Sequence, residues 1–304
     1  MEPDLLSSLS ERLSSLVAGG AAHVVRVDGR RGPPASGVVW SADGVVVTAH
    51  HALARDEEVR VGLEGGGTAE AEVLGRDPTT DLAAIRVRAG GLAPATWGAA
   101  PPLAPGALVV GVTRPGKSPR ASIGVLARAA GAFRAAAGGK VERFLETTLA
   151  LYPGFSGGLV LAASGEPLGL STAGLVRGSA MILPAETLRR VVKSLLAHGG
   201  VRRGYLGIAT TPVPLPPALR ASTGEEVALL VSRVEPESPA ERAGLLLGDA
   251  LLSIGGERLQ DPGELLALLS EERIGDTVTV RILRAGEARE LSLTVGARGT
   301  GGRP

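Results

Sequence analysis

The sequence predicts a mainly β protein: a unit of many short strands, of the barrel or sandwich kind, followed by a small α/β module. Three observations carry this. Short β-branched runs recur over residues 24–183, each bounded by Gly, Pro or Asp, with few helical stretches between them. Glycine is abundant, 44 of 304 residues, about twice the ordinary share of ~7%, as a chain rich in tight turns requires. Length alone leaves room for roughly two to three domains, and the strand pattern gives way near residue 200 to alternating strands and helices.

In order along the chain, Leu5, Leu6, Leu9, Leu13, Leu16 and Val17 recur at helical spacing after Pro3-Asp4 and predict an amphipathic helix within residues 1–20. Its apolar face packs on its own domain or meets another subunit. Val24–Val27 reads as a strand. Val38–Trp40 and Val45–Thr48 flank Asp43-Gly44 and predict a hairpin. Further strands are expected at 58–63, 69–75, 82–87, 107–112, 122–127, 159–162, 168–172 and 179–183. A helix over Thr187–Ala197, opened by Pro184-Ala185-Glu186 and stopped by His198-Gly199-Gly200, closes the first unit.

After the linker Val201-Arg202-Arg203, strands are expected at 206–210, 228–234, 250–254, 276–283 and 289–295, with a Pro-rich loop at 212–217. Helices are expected at 239–243 and 262–271, the second with Asp261 as N-cap and Pro262 at its first position. Residues 297–304 read as a disordered tail.

Composition excludes several functions. Lys plus Arg number 32 against 31 Asp plus Glu, a net charge of +1, which gives no field to hold a nucleic acid. No cysteine is present, so disulfides and thiolate chemistry drop out. The four histidines, His23, His50, His51 and His198, lack metal-ligand spacing, and no Gly-X4-Gly-Lys-Ser/Thr nucleotide motif occurs, so no cofactor is expected. With aromatics at 2%, the core must be aliphatic. The N-terminus shows no basic segment followed by an apolar run and no stretch long enough for a membrane span. The chain as it stands reads as cytoplasmic, and as periplasmic or otherwise extracytoplasmic if a leader has been removed.

The chemistry centres on Gly154-Phe155-Ser156-Gly157-Gly158. Glycines around a serine make a tight turn on which its hydroxyl stands clear and backbone N–H groups converge beside it, the geometry of an acyl-transfer nucleophile. Such a serine needs a histidine as base and a carboxylate to hold that histidine's tautomer. Thr48-Ala49-His50-His51 supplies the first and Asp77-Pro78-Thr79-Thr80-Asp81-Leu82-Ala83 the second. The order His, Asp, Ser is that of chymotrypsin-like barrels. Asp77 suits the turn before Pro78, and His23 and His198 are read as structural.

On these motifs residues 21–200 resemble the chymotrypsin-like double β-barrel of the HtrA (DegP-like) serine proteases. Residues 201–296 resemble their PDZ domain, through Gly204-Tyr205-Leu206-Gly207, Ser238-Pro239-Ala240-Glu241-Arg242-Ala243-Gly244-Leu245 and Gly248-Asp249. The resemblance implies Ser156 as nucleophile, His51 as general base, Asp81 as its orienting carboxylate, and the N–H groups of Gly154 and Ser156 as oxyanion hole. The Thr-X-X-His register selects His51 and leaves His50 as the alternative. It also implies Ala150 at the floor of the P1 pocket, hence no preference for Lys or Arg, and Ser171-Thr172-Ala173 beside the substrate backbone. In the second module it implies that Tyr205, Leu206, Gly207 and Ile208 bind a peptide's terminal carboxylate, with the strand from Ile208 accepting the peptide. Leu265, Leu266 and Leu269 line its side-chain pocket or belong to the core.

The implied function is ATP-independent endoproteolysis of unfolded or damaged proteins, with a homo-oligomer, a trimer in the family, as the expected assembly. Two positions depart from the family. Phe155 stands where Asn is usual, and Thr148 where many members carry Asp. Phe155 supports a rival expectation, a peptide-binding chaperone or scaffold whose protease domain is inactive.

Overall fold

The computed structural model describes residues 4–29, 32–54, 56, 58–63, 65–98, 101–201, 203–269 and 271–298. The chain forms two compact units, Met1–Gly200 and Val201–Pro304.

The first unit begins with α1 (Leu5–Ala21), which runs past the apolar pattern through Gly19 and Gly20. Gly20 lets the helix end lie against the second barrel: a Cβ there would stand 3.0 Å from Leu161 and 3.2 Å from Val112. The expected packing therefore holds for the last turns, whereas Leu5, Leu6 and Leu9 are exposed.

Six strands follow: β1 (Val24–Asp28), β2 (Ala35–Val39), β3 (Val45–Ala49), β4 (Val59–Gly62), β5 (Thr68–Asp77) and β6 (Leu82–Val87). They close into a barrel in the order β1-β2-β3-β6-β5-β4. Its core is aliphatic, built on Val25, Val27, Val39, Val46, Val61 and Ile85. β2 starts three residues before the β-branched run, because Ala35, Ser36 and Gly37 pair with Val27, Arg26 and Val25 of β1. In the β2–β3 hairpin Gly44 takes φ +91°, and a Cβ there would run into the Val87 carbonyl.

The second barrel comprises β7 (Leu108–Thr113), β8 (Arg120–Ala130), β11 (Phe144–Thr147), β12 (Leu159–Ala162), β13 (Pro167–Thr172) and β14 (Ala180–Pro184). It closes in the order β11-β14-β13-β12-β7-β8. A small hairpin, β9 (Phe133–Arg134) with β10 (Lys140–Val141), stands apart from it. β11 is not among the strands expected from the sequence, although Leu145 and Thr147 alternate inward as a half-buried strand should. Helix α2 (Ala185–His198) buries Leu188, Val191, Val192 and Leu195. It ends where Gly199, left-handed at φ 70°, donates its N–H to the Leu195 carbonyl.

The second unit holds a sheet ordered β16 (Ile208–Pro214), β17 (Val227–Val234), β18 (Ala250–Ile254), β20 (Thr277–Arg284) and β21 (Glu287–Thr294), with β19 (Glu257–Arg258) paired to β18. Helices α3 (Pro217–Thr223), α4 (Pro239–Arg242) and α5 (Pro262–Leu268) complete it. Asp261 caps α5 in a capping box with Glu264.

Two expectations need correction here. The Pro-rich stretch at 212–217 is not a loop: Pro212 and Pro214 lie in β16, opposite Leu229 and Val227. β16 is an edge strand, where proline is tolerated because one side of the backbone needs no ladder partner. Pro217 then opens α3. The expected tail at 297–304 is also too long, since β22 (Gly296–Arg298) pairs with β15 (Arg203–Tyr205), drawing Arg203 out of the linker. Residues 299–304 and Arg202 lie outside the described residues.

Candidate active site

Antiparallel pairing of β3 with β6 sets Ala49 opposite Leu82, so the residues just beyond β3 meet those just before β6. The ladder continues as the His50 N–H donates to the Asp81 carbonyl at 3.0 Å. Asp81 is held at φ +57°, a left-handed conformation that Asp tolerates better than most residues. Asp77 shapes the turn before it, accepting from the Thr79 N–H at 3.1 Å and from the Thr80 hydroxyl at 2.6 Å.

The Asp81 carboxylate is buried, 4% exposed, and receives three donors. The His51 N–H reaches Oδ1 at 3.0 Å, and His51 Nδ1 lies 2.9 Å from Oδ1 and 2.8 Å from Oδ2. The hydroxyl of Thr172, from the second barrel, donates to Oδ2. An ionised carboxylate only accepts, so Nδ1 is the donor in this pair, and a neutral imidazole held this way keeps its lone pair on Nε2. His50 is different: its Nδ1 is buried and has no partner among the described residues. Burial, and after it the charge of Arg76, hold its imidazole below the ordinary 6.5.

Ser156 sits in the loop that leads to β12. Pro153-Gly154 form the centre of a turn in which the Phe155 N–H donates to the Tyr152 carbonyl at 2.9 Å. Gly154 takes φ +90°, as the third residue of a type II turn requires. A Cβ there would strike Pro115, and one at Gly157 would strike the Ser36 carbonyl. Phe155 is 2% exposed and packs edge-on to Tyr152, ring centres 5.9 Å apart, in the core with Leu149 and Val160. Its carbonyl accepts the Ser171 hydroxyl at 2.6 Å.

The N–H groups of Gly157 and Gly158 are taken up by Ser171, at 2.8 and 3.0 Å. Those of Gly154 and Ser156 find no acceptor among the described residues. The Ser156 hydroxyl accepts the Ala173 N–H at 3.2 Å, and no hydrogen bond joins it to His51. Both side chains nevertheless line one cleft of ≈ 340 Å³, with Ala35, Leu151, Tyr152, Pro153, Gly154, Phe155 and Ala173. His50 is not part of that lining.

Of the four residues expected beside the substrate, only Ala173 lines the cleft. Ala150 is exposed to one side, its N–H on the Ser122 hydroxyl at 3.1 Å. Ser171 and Thr172 are buried in the β13 ladder, their hydroxyls turned to Phe155 and Asp81. Thr148 braces β8, its hydroxyl accepting the Val125 N–H at 2.9 Å. Two residues escaped the sequence reading. A Cβ on Gly174 would lie 2.7 Å from Asp81 Cγ and 2.9 Å from His51 Nδ1, so only glycine leaves that pair room. Ser36 touches both barrels and carries no local sequence signal.

In the second unit, Leu206 is buried with its carbonyl on the Ala240 N–H at 2.9 Å. Gly207 takes φ +82°. The N–H groups of Leu206 and Gly207 have no acceptor among the described residues. Tyr205 bonds the Glu235 carboxylate, and Ile208 opens the edge strand β16. Leu265 and Leu269 join the core, whereas Leu266 is 49% exposed.

Known proteins resemble both units. Residues 35–170 match the trypsin-like peptidase domain and residues 204–295 the PDZ domain. The solved HtrA-type protease AlgW with decapeptide superposes with a TM-score of 0.75 at 26% identity, covering 94% of this chain and 99% of that one. The "Putative serine protease HhoB" of Synechocystis sp. is 30% identical over 286 residues, 88% of this chain and 68% of its own length. The chain belongs to the HtrA-type, DegP-like family of serine proteases. The "Probable periplasmic serine endoprotease DegP-like" of Brucella suis biovar 1 is 31% identical over 270 residues, 86% of this chain. This HtrA-type chain spans about half the length of that relative, 52%. Among its described residues no His, Asp or Glu cluster could hold a metal, and no helix is long and apolar enough to cross a membrane.

Proposed function

We propose that the chain is an ATP-independent serine endopeptidase acting on unfolded proteins and peptides, with Ser156 as nucleophile, His51 as general base and Asp81 as its orienting group. The observation that carries this reading is the His51–Asp81 pair at 2.8 Å, opening onto the cleft that also holds Ser156 and two unspent N–H groups. Rotation of the Ser156 hydroxyl from the Ala173 N–H toward Nε2 prepares it to attack a peptide carbonyl as the imidazole takes its proton. Asp81 stabilises the imidazolium that results. The oxyanion of the tetrahedral intermediate falls to the N–H groups of Gly154 and Ser156, donors of a kind worth about 2.7–4 kcal/mol each. His51 then protonates the leaving amine, and water releases the acyl group by the same steps in reverse order.

The cleft lining carries no carboxylate to select Lys or Arg, and Leu151 and Ala35 favour small or medium aliphatic side chains. Buried Phe155 supports an active loop, because packing anchors that loop as a polar residue would by hydrogen bonds. In the second unit we assign peptide C-termini to the N–H groups of Leu206 and Gly207 and to the free edge of β16. Assembly into a homo-oligomer and residence in the periplasm, as the DegP-like relatives are named, belong to the same proposal. Cleavage of denatured casein by the full chain, abolished in Ser156→Ala, is the expected result. Equal turnover by the variant would discard the reading.

A further inference from the structure

Ser36, the second residue of β2, is completely buried. Beyond its place in the strand ladder, four hydrogen bonds converge on it. The hydroxyl donates to the Gly154 carbonyl at 2.9 Å and accepts the Arg114 N–H at 2.9 Å. The Ser36 N–H donates to the Ser156 carbonyl at 3.1 Å. Its carbonyl accepts the hydroxyl of Thr48, three residues before His51, at 2.7 Å. One residue of the first barrel thus holds the carbonyls of the two residues whose N–H groups are assigned to the oxyanion.

Those carbonyls matter because an oxyanion hole works through donors fixed before charge develops. The Gly154–Phe155 peptide is gripped at both ends: Ser36 holds its carbonyl oxygen, and its N–H is spent on the Tyr152 carbonyl. With the Ser156 carbonyl held by the same residue, the spacing of the two free N–H groups is set by β2. The link from Ser36 through Thr48 ties that spacing to the strand that delivers His51. A hydroxyl suits the place because one neighbour needs a donor and the other an acceptor. Alanine would leave both the Gly154 carbonyl and the Arg114 N–H without a partner.

We propose that Ser36 is a positioning residue for the oxyanion-binding amides, and that its hydroxyl sets affinity for the transition state rather than for the substrate. The inference rests on the serine-protease reading above. Its test uses the full chain, a peptide amide substrate and a peptide aldehyde, which forms a tetrahedral adduct with the nucleophile. In Ser36→Ala, kcat should fall about tenfold or more, less than the 10²–10³ lost with a whole oxyanion donor. KM should stay within about threefold, and the aldehyde's inhibition constant should rise in parallel with the loss of kcat.

Ser194→Ala removes another buried hydroxyl-to-carbonyl bond, Ser194 to Gly200 at 3.0 Å, and serves as the stability control. It should lower the thermal midpoint while leaving both kcat and aldehyde affinity within about threefold of wild type. If Ser36→Ala does not fold, Ser36→Cys, similar in bulk and a weaker donor, carries the same comparison with an intermediate loss. An active wild type whose Ser36 variants keep kcat and aldehyde affinity, or lose only KM, overturns this inference alone. A wild type with no turnover and no aldehyde adduct overturns the protease reading and this inference together.

Discussion

The two barrels of the first unit bring their share of the site forward by different means. In the first, His51 and Asp81 stand at the ends of paired strands, so the β3–β6 register itself delivers them to one another. In the second, Ser156 lies on a loop whose shape depends on a buried aromatic ring, a left-handed glycine and hydrogen bonds from Ser36 and Ser171. On the proposed roles, strand register places the base, while side-chain packing places the nucleophile. The two halves should therefore break differently.

The largest effect belongs to the groups proposed to react. Ser156→Ala should cost about 10⁴-fold or more in kcat, and Asp81→Asn about 10⁴-fold by leaving the wrong imidazole tautomer, with both proteins folded by circular dichroism. Next comes Gly174→Ala, in which the added methyl group presses on Asp81 and His51. Displacing that pair by about 1 Å should lower kcat by about 10²-fold, measured on a peptide amide. Retained activity would mean that the register alone does not hold the pair.

A packing comparison sharpens the contrast. Phe155→Ala should destabilise the first unit by about 3–5 kcal/mol and remove activity even where the protein remains folded. Ile85→Val, in the aliphatic core of the first barrel, should cost only about 0.5–1.5 kcal/mol and leave kcat alone. Urea titration followed by assays below the transition would test both.

What could be read from the sequence follows the same division. Thr48 to His51 and Asp77 to Ala83 are local segments ending or opening strands, so their chemistry shows in their spacing. The sequence sets Ser171 and Thr172 beside the substrate backbone, but nothing local says that their hydroxyls turn to Phe155 and Asp81 across the fold. Gly174 bears on Asp81 and His51, and Ser36 on Gly154, all more than 90 positions away, contacts that no local pattern encodes. In the second unit the prolines of β16 suggested a loop because edge position is a property of the sheet, not of the segment.

The smallest effect concerns the histidine that the register brings near without using. His50 has a lowered folded-state pKa, so as pH falls below 6.5 the unfolded chain takes up its proton first. Stability should therefore decline on acidification through that range. His50→Gln should flatten the decline, seen as a shallower dependence of thermal midpoint on pH.

The division of labour between the barrels is tested most directly by the rate at which a fluorophosphonate attaches to Ser156, followed by intact mass in wild type, His51→Ala and His50→Ala. The rate should fall by about 10³-fold in His51→Ala and stay within about threefold of wild type in His50→Ala. Loss of labelling in His50→Ala with normal labelling in His51→Ala would contradict the account.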